Sequence, residues 1–300
     1  MDALCESGRA PTLAIGYPPT LAHRSGYASL ADLCERYRVP LLETDDVNAP
    51  EILARVRDVE PEVLLVTGWS QLLRPELLSI PRHGAVGFHP TSLPEGRGRA
   101  PIPWTLIKGV RRSAVSLFWL TEGVDDGPLI AQAPFEVDLH DDAATLYAKV
   151  RELHVRLLLD YVDAIVAGTA PAEPQEGEPS YWPQRRPEDG AIDWARPAAE
   201  LYDWIRALTH PFPGAFTATA DGRRLRVWSA DLLELGGMQA GPPGTVLGAL
   251  RSAGRPEGGV VVAAGSDALA LRRVSLDDEP ETDALALLDV GALQYRSVLG

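Results

Sequence analysis

Through its first half the chain alternates short apolar runs with amphipathic helical stretches, and no other feature narrows its fold so far. "TLAIGY" (12–17), "VLLVTG" (63–68), "AVGFH" (85–89), "AVSLFWL" (114–120) and "LIAQAPFEV" (129–137) read as strands. Between the early ones, "SLADLCERYR" (29–38) and "PEILARVRDV" (50–59) read as helices. Strands interleaved with helices imply an α/β fold, a mostly parallel Rossmann-like sheet covered on both faces. Such sheets take their ligands at the carboxyl ends of strands, and His89 closes one of these runs. The front is odd: "MDALCESG" reads as the end of a helix where a strand would normally open the sheet.

His140-Asp141-Asp142 supplies an N-cap and an acidic first turn for a long helix. Leu146, Val150, Leu153, Leu157 and Tyr161 recur at three-to-four spacing and mark its inner face. The stretch "GTAPAEPQEGEPSYWPQRRPEDG" (168–190) is too polar and too rich in proline and glycine to fold alone, and reads as a linker. A helix stopped by prolines follows, then a β-rich tail whose Asp221-Gly222 marks a hairpin turn. Several short strands with glycine-rich turns predict a small barrel. The expected division is a catalytic domain over 1–168, a linker over 169–190 and a C-terminal domain over 191–300.

With 300 residues, two domains are the natural expectation. The net charge of −14 argues against any partner bound mainly through phosphate neutralisation, so no nucleic acid is expected. Cys5 and Cys34 form no metal-like or redox motif, which suits reduced thiols. There is neither a membrane-length apolar stretch nor a signal-peptide pattern. A soluble, cytoplasmic protein is expected, with no membrane partner and with a homodimer left open.

The loop "GFHPTSLPEGRGRAPIPW" (87–104) follows His89 with prolines, glycines and interspersed arginines, as if to hold an imidazole rigidly at the lip of a strand. "TEGVDDGPLIAQ" (121–132) sets Asp125 and Asp126 in a second loop, from which a carboxylate is able to reach His89 if the flanking strands are neighbours. A carboxylate on one ring nitrogen fixes the tautomer and raises the basicity of the other. Without a nucleophile elbow at Ser92, the pair points to direct proton transfer. The scattered histidines predict no metal, and "EGRGRAP" lacks the dinucleotide fingerprint. His83 and His210 read as surface residues, His154 as a structural histidine on the long helix, and Arg185-Arg186 as a solvated pair. Trp69, Trp104 and Trp119 are candidates for stacking on a ligand, but such rings more often fill cores.

"HPTSLPEGRGRAPI", "EGVDDGPLIAQ" and "IDWARPAAELYDWIRALTHPFPGAFT" together resemble, in order, the signature segments of 10-formyltetrahydrofolate-dependent formyltransferases. The Arg-Gly-Arg-Ala-Pro run is most similar to that of sugar-nucleotide N-formyltransferases acting on 4-amino-4-deoxyarabinose. The resemblance implies a formyltransferase fold followed by an OB-like β-barrel, with 10-formyltetrahydrofolate as co-substrate and no metal. It makes His89 the catalytic histidine and Asp125 its partner. Gln71, Leu72 and Leu73 would line the folate pocket; Thr121, Glu122, Gly123 and Val124 would close the pterin site, and Arg99 would meet the ligand. The implied reaction is transfer of the formyl group to the amine of a small molecule, most simply an amino-sugar nucleotide.

Two departures accompany the resemblance. The family's asparagine two residues before the histidine is Gly87 here. Loss of an oxyanion donor costs roughly two to three powers of ten in turnover. A backbone N–H, a water or another side chain is expected to take its place, in part because the substrate needs the room. The first strand, interior to this fold's sheet, is missing, and the natural start is expected upstream. Alternative functions are a methionyl-tRNA formyltransferase, a hydrolase of the folate, and a degenerate folate-binding protein. Against the first, acidic residues outnumber arginines after residue 200, and the last lysine is Lys149.

Overall fold

A computed structural model describes residues 1–21, 27–251 and 258–300. They form two compact units. One comprises Met1–Pro101, Arg112–Glu136 and Ala148–Pro183; the other comprises Ile102–Arg111, Val137–Tyr147 and Gln184–Gly300. These differ from the expected boundaries, because two short segments ahead of residue 150 belong to the second unit.

In the first unit, α1 (Asp2–Glu6), β1 (Ala14–Gly16), α2 (Ala31–Tyr37), β2 (Leu41–Glu43), α3 (Pro50–Asp58), β3 (Leu64–Val66), α4 (Pro75–Leu78) and β4 (Ala85–His89) alternate, and all but β2 and α4 fall on stretches read from the sequence. β5 (Arg97–Gly98), α5 (Pro101–Ile107, largely in the second unit), β6 (Arg112–Trp119) and β7 (Leu129–Glu136) follow. Strand β2 is an addition to the expected set; it offers only Leu41 and Leu42 as apolar residues between Pro40 and Glu43. β3 and β4 run parallel, while β6 and β7 extend the same sheet antiparallel, in the order β3-β4-β6-β7.

Alternation along β4 sorts the helices onto two faces. Ala85 and its neighbours Leu64 and Val66 meet Ile52 and Val56 of α3 and Leu77 of α4. Leu65 and Phe88, pointing the other way, meet Leu4 of α1 and Leu158 and Val162 of α6 (Ala143–Val166). That long helix starts on the expected signal: the Asp142 carboxylate accepts the Thr145 N–H at 2.9 Å while Thr145 Oγ1 accepts the Asp142 N–H at 2.9 Å. Of its expected inner face, Leu146, Val150 and Leu157 are buried, and Leu153 and Tyr161 are half-buried.

Among the described residues the strands of the first unit fall into separate sheets. β1 and β2 pair parallel with each other alone, as a separate two-stranded sheet. Leu13, Ile15 and Leu42 nevertheless pack on the same apolar cluster as Leu64 and Val66. Beside the ends of β1 and β3, the Tyr17 and Trp69 rings stack at 4.1 Å between centroids.

The segment read as a linker is bound into the first unit up to Pro183. Glu173 bridges to Leu129, and β8 (Tyr181–Trp182) pairs parallel with β5. Its attachments are backbone hydrogen bonds and single side chains, which composition does not reveal.

The second unit carries α7 (Ala198–Leu208) and an antiparallel sheet of β9 (Ala215–Ala218), β10 (Arg224–Leu233), β11 (Val246–Leu250), β12 (Gly259–Ala263), β13 (Ala268–Leu276) and β14 (Thr282–Asp283), followed by α8 (Ala284–Asp289). Its order is β11-β12-β13-β10-β9, with β14 beside β13. The predicted turn joins β9 to β10, with Gly222 at φ 83°, a conformation that favours glycine. Val227, Val246, Val260, Val262, Leu269 and Leu271 are fully buried. Closure into a barrel by strand pairing is not seen among the described residues. Instead the last residues bond to both ends of the order, Arg296 N–H to Val246 O at 2.9 Å and Gly300 with Ala218 at 2.9 and 3.1 Å. Arg185, expected to be a solvated residue, lies over the indoles of Trp104 and Trp204, 4.9 and 4.5 Å from their centroids. No helix of the described residues is long and apolar enough to cross a membrane.

Candidate active site

His89 is the last residue of β4 and is 5% exposed. Its Nε2 lies 2.7 Å from the Gly96 carbonyl oxygen. A carbonyl only accepts, so Nε2 carries the hydrogen of that bond, and the neutral ring offers Nδ1 as its basic nitrogen. Nδ1 faces Asp125 Oδ2 at 3.5 Å. The imidazole and carboxylate that the sequence puts forward are therefore brought together.

The route by which Asp125 arrives follows from strand register. β6 runs antiparallel to β4, with Ser116 beside His89 and Trp119 beside Val86. The chain leaving β6 emerges near the start of β4, so the 120–127 loop must double back to bring Asp125 to the strand's other end. Asp125 takes a left-handed backbone conformation, φ 51°, which short polar side chains tolerate better than most. The Gly98 N–H donates to its Oδ2 at 2.8 Å. Gly98 itself sits at φ 105°, and a Cβ there would lie 2.6 Å from the Trp182 carbonyl oxygen. Only glycine lets this strand supply an N–H to the carboxylate so close to its neighbour's backbone.

The loop after His89 is anchored from beneath. Ser116, fully buried, donates to Thr91 O at 2.6 Å and accepts from the Leu93 N–H at 3.3 Å. Gln132 Nε2 donates to Ser116 Oγ at 2.8 Å and to Leu93 O at 3.0 Å. Ser116 and Gln132 escape a sequence reading, since isolated polar residues in apolar strands carry no motif.

Of the expected folate-lining residues, Leu73 is buried and Leu72 is 55% exposed. Gln71 is turned to structural use: its Oε1 accepts the Val47 N–H at 3.0 Å and its Nε2 donates to Asp46 Oδ1 at 2.7 Å. Asn48, also missed, donates to Leu72 O at 3.0 Å and accepts the Arg74 N–H at 2.8 Å. The Asn48 backbone N–H, with Gln71 second, holds the Asp46 carboxyl below the usual range. The polar run Thr44–Asn48 ahead of Pro50 was the available signal. In the opposite loop, Thr121 Oγ1 donates to Asp126, and Thr121, Glu122 and Val124 are exposed. Gly123 fits because a Cβ there would strike the Asp126 carboxylate. Arg99 is exposed, and its backbone N–H donates to Trp182 O at 3.0 Å.

At Gly87 the room expected from the missing side chain is filled. A Cβ there would lie 2.6 Å from Leu120 Cδ2 and 3.5 Å from Phe118 Cζ. The space opened by glycine is taken by a leucine side chain, not kept for a water or an amide, and that side chain donates no hydrogen bond.

On the far face of the sheet, His154 tilts against Phe88 with centroids 4.6 Å apart, and its Nε2 is buried without a partner among the described residues. Burial, followed by the charge of His89, pushes it down to about 4. Trp69 stacks on Tyr17, and Trp119 Nε1 donates to Pro171 O at 2.9 Å, so both rings have structural partners. Among the described residues no cluster of three or more His, Cys, Asp or Glu side chains is placed to hold a metal.

Residues 16–162 match the family described as formyl transferase, and residues 185–289 match the formyl transferase C-terminal domain. The chain belongs to the formyltransferase family. Solved structures similar to this formyltransferase include HypX from Aquifex aeolicus in complex with tetrahydrofolic acid, at TM-score 0.64 and 20% identity over 92% of this chain. The chain spans about half of that protein, 46% of its length. WlaRD, a sugar 3N-formyl transferase solved in the presence of dTDP and 5-N-formyl-THF, aligns at TM-score 0.59 and 14% identity, over 89% of this chain and 88% of that one. Methionyl-tRNA formyltransferase from Clostridium thermocellum aligns at 0.55 and 21%, over 73% and 92%. Identities this low establish a shared fold; the family assignment rests on the two matched domains.

Proposed function

We propose that this formyltransferase moves the formyl group of 10-formyltetrahydrofolate to the amine of a small acceptor, an amino-sugar nucleotide, with His89 and Asp125 as its catalytic pair. One observation carries the reading: His89 Nδ1, left basic by the bond from Nε2 to Gly96, faces the Asp125 carboxylate at 3.5 Å. The two surrounding loops suit a folate. The stapled 71–73 loop presents the exposed side chain of Leu72 to an apolar ring face, and the 121–125 loop adds Val124 and backbone groups for a polar ring edge. HypX and WlaRD, which share the fold, were each solved with a folate.

In the proposed reaction the acceptor amine attacks the formyl carbon and the carbonyl electron pair moves onto oxygen. Nδ1 takes a proton from the amine nitrogen, and the Asp125 carboxylate steadies the resulting imidazolium. Collapse breaks the bond between the formyl carbon and N10 of the folate, and Nδ1 returns the proton to N10. General acid–base help of this kind contributes about two to four powers of ten. With Leu120 in the space beside Gly87, oxyanion stabilisation must come from other groups.

An acceptor smaller than tRNA is supported by the acidic charge of −14. The Arg97-Gly98-Arg99-Ala100-Pro101 run and the fold shared with WlaRD over 89% of this chain and 88% of that one favour a sugar nucleotide. The apolar filling at Gly87 favours a second reading, a protein that binds folate and turns it over slowly. A cytoplasmic location is part of the proposal. Turnover of 10-formyltetrahydrofolate against nucleotide-linked amino sugars and initiator methionyl-tRNA, run beside His89→Ala, tests it. Formylated sugar, lost in the variant, is expected; formylated tRNA would overturn the acceptor, and folate binding without release of tetrahydrofolate would leave the slow-binding reading.

A further inference from the structure

The segment that reads as a linker contains Gln175, whose carboxamide bonds both to Arg97 of β5 and to the loop that carries Asp125. Its Oε1 accepts from Arg97 Nη2 at 2.6 Å and from Arg97 Nε at 3.1 Å. Its Nε2 donates to the carbonyls of Asp125 and Gly127, each at 2.8 Å. We infer that Gln175 is a positioning residue for catalysis, holding the Asp125 loop in register with the Arg97-Gly98 strand. The inference rests on the proposed role of Asp125.

The chemistry of both ends admits one orientation. Arg97 offers only donors, and the two carbonyls only accept, so a flipped amide would set like against like at every contact. Arg97 is 9% exposed and, among the described residues, its side chain bonds to neutral groups alone: Gln175 and, at 3.1 Å, the Tyr181 hydroxyl. A buried guanidinium with no carboxylate to satisfy it holds its few acceptors firmly. Arg97 in turn is fixed by its strand pairing to Tyr181. Gln175 thus ties the loop from outside, while the Gly98 N–H ties the Asp125 carboxylate from inside at 2.8 Å. Between these restraints Asp125 keeps its left-handed backbone and its place beside His89. A misplacement of about 1 Å in such a pair costs on the order of a hundredfold in rate.

Two variants separate positioning from folding. Gln175→Ala removes all four hydrogen bonds. Gln175→Glu keeps an acceptor, now charged, for Arg97, but sets a carboxylate oxygen against the Asp125 and Gly127 carbonyls, so it should fold while releasing the loop. The readout is the Nδ1 nitrogen resonance of His89 in protein labelled at histidine, assigned by His89→Gln and needing no acceptor. Asp125→Asn is the reference. The expected result is that both Gln175 variants move the His89 signal in the same direction as Asp125→Asn, and move it no further when combined with it. Once the acceptor is found, both should lower kcat about ten- to a hundredfold. An unmoved signal in Gln175→Glu, or shifts that add to those of Asp125→Asn, overturns the inference and leaves the pair intact. A signal unmoved even by Asp125→Asn overturns both this inference and the catalytic reading beneath it.

Discussion

Gly87→Asn would restore an amide two residues before His89, and the structure says what it meets. The new Cβ would sit 2.6 Å from Leu120 Cδ2, well inside contact distance, with Phe118 Cζ behind it at 3.5 Å. Leu120 packs on the cluster containing Leu77 and Ala85, so its side chain must leave a well-filled position to make room. Overpacking of this sort costs about 1–3 kcal/mol. For a chain of this size, each kcal/mol lowers Tm by roughly 2–4 °C. Leu120→Ala alone should cost about 2–3 kcal/mol for lost burial. The double variant should be less destabilised than the sum, by a coupling of about 1–2 kcal/mol, because the amide then occupies the vacated space. Thermal or urea unfolding of the four proteins completes the cycle. If the two single effects simply add, or if Gly87→Asn leaves Tm unchanged, the claim that glycine is present to admit Leu120 is wrong.

His154 gives a pH prediction. Its folded-state value of about 4 lies below the 6.5 of an unperturbed histidine, so the unfolded chain binds more protons between these values. Its contribution is complete above pH 6.5 and is lost as pH falls toward 4, amounting to about 3 kcal/mol. Urea unfolding at pH 7 and pH 4 should show the wild type losing about that much more than His154→Leu; equal losses would contradict it. Asn48→Ala should leave the Leu72 carbonyl and the Arg74 N–H unpaired, at about 1–3 kcal/mol, and speed amide exchange over residues 72–74. Unchanged exchange there would show that the 71–73 loop is held by other contacts.

What the sequence disclosed follows from which forces leave a pattern in it. β4 spans the expected residues 85–89, and the Asp221-Gly222 turn forms, because apolar alternation and turn chemistry are local signals. The approach of Asp125 to His89 was legible as a possibility, since His89 closes a strand and Asp125 lies in a glycine-bounded loop between two others. Strand β2 was missed because Leu41 and Leu42 stand alone between Pro40 and the polar Glu43-Thr44-Asp45-Asp46 run. The 168–190 segment misled because its composition is that of a linker, whereas its attachment depends on backbone pairing at Tyr181-Trp182 and on single side chains such as Gln175. The meaning of Gly87 depended on a leucine 33 positions later, across the sheet, which no local reading supplies. Arg185 looked solvated because the indoles flanking it, Trp104 and Trp204, are distant in sequence.

The central claim, that the carboxylate of Asp125 works with the His89 imidazole in formyl transfer, is tested most directly by single-turnover transfer from 10-formyltetrahydrofolate to a nucleotide-linked amino sugar, read as release of tetrahydrofolate, with Asp125→Asn. The substitution preserves size and an acceptor oxygen for the Gly98 N–H while removing the charge. A fall in rate of about two to four powers of ten, with donor affinity nearly unchanged, is the predicted result. A rate within about threefold of wild type would contradict the account.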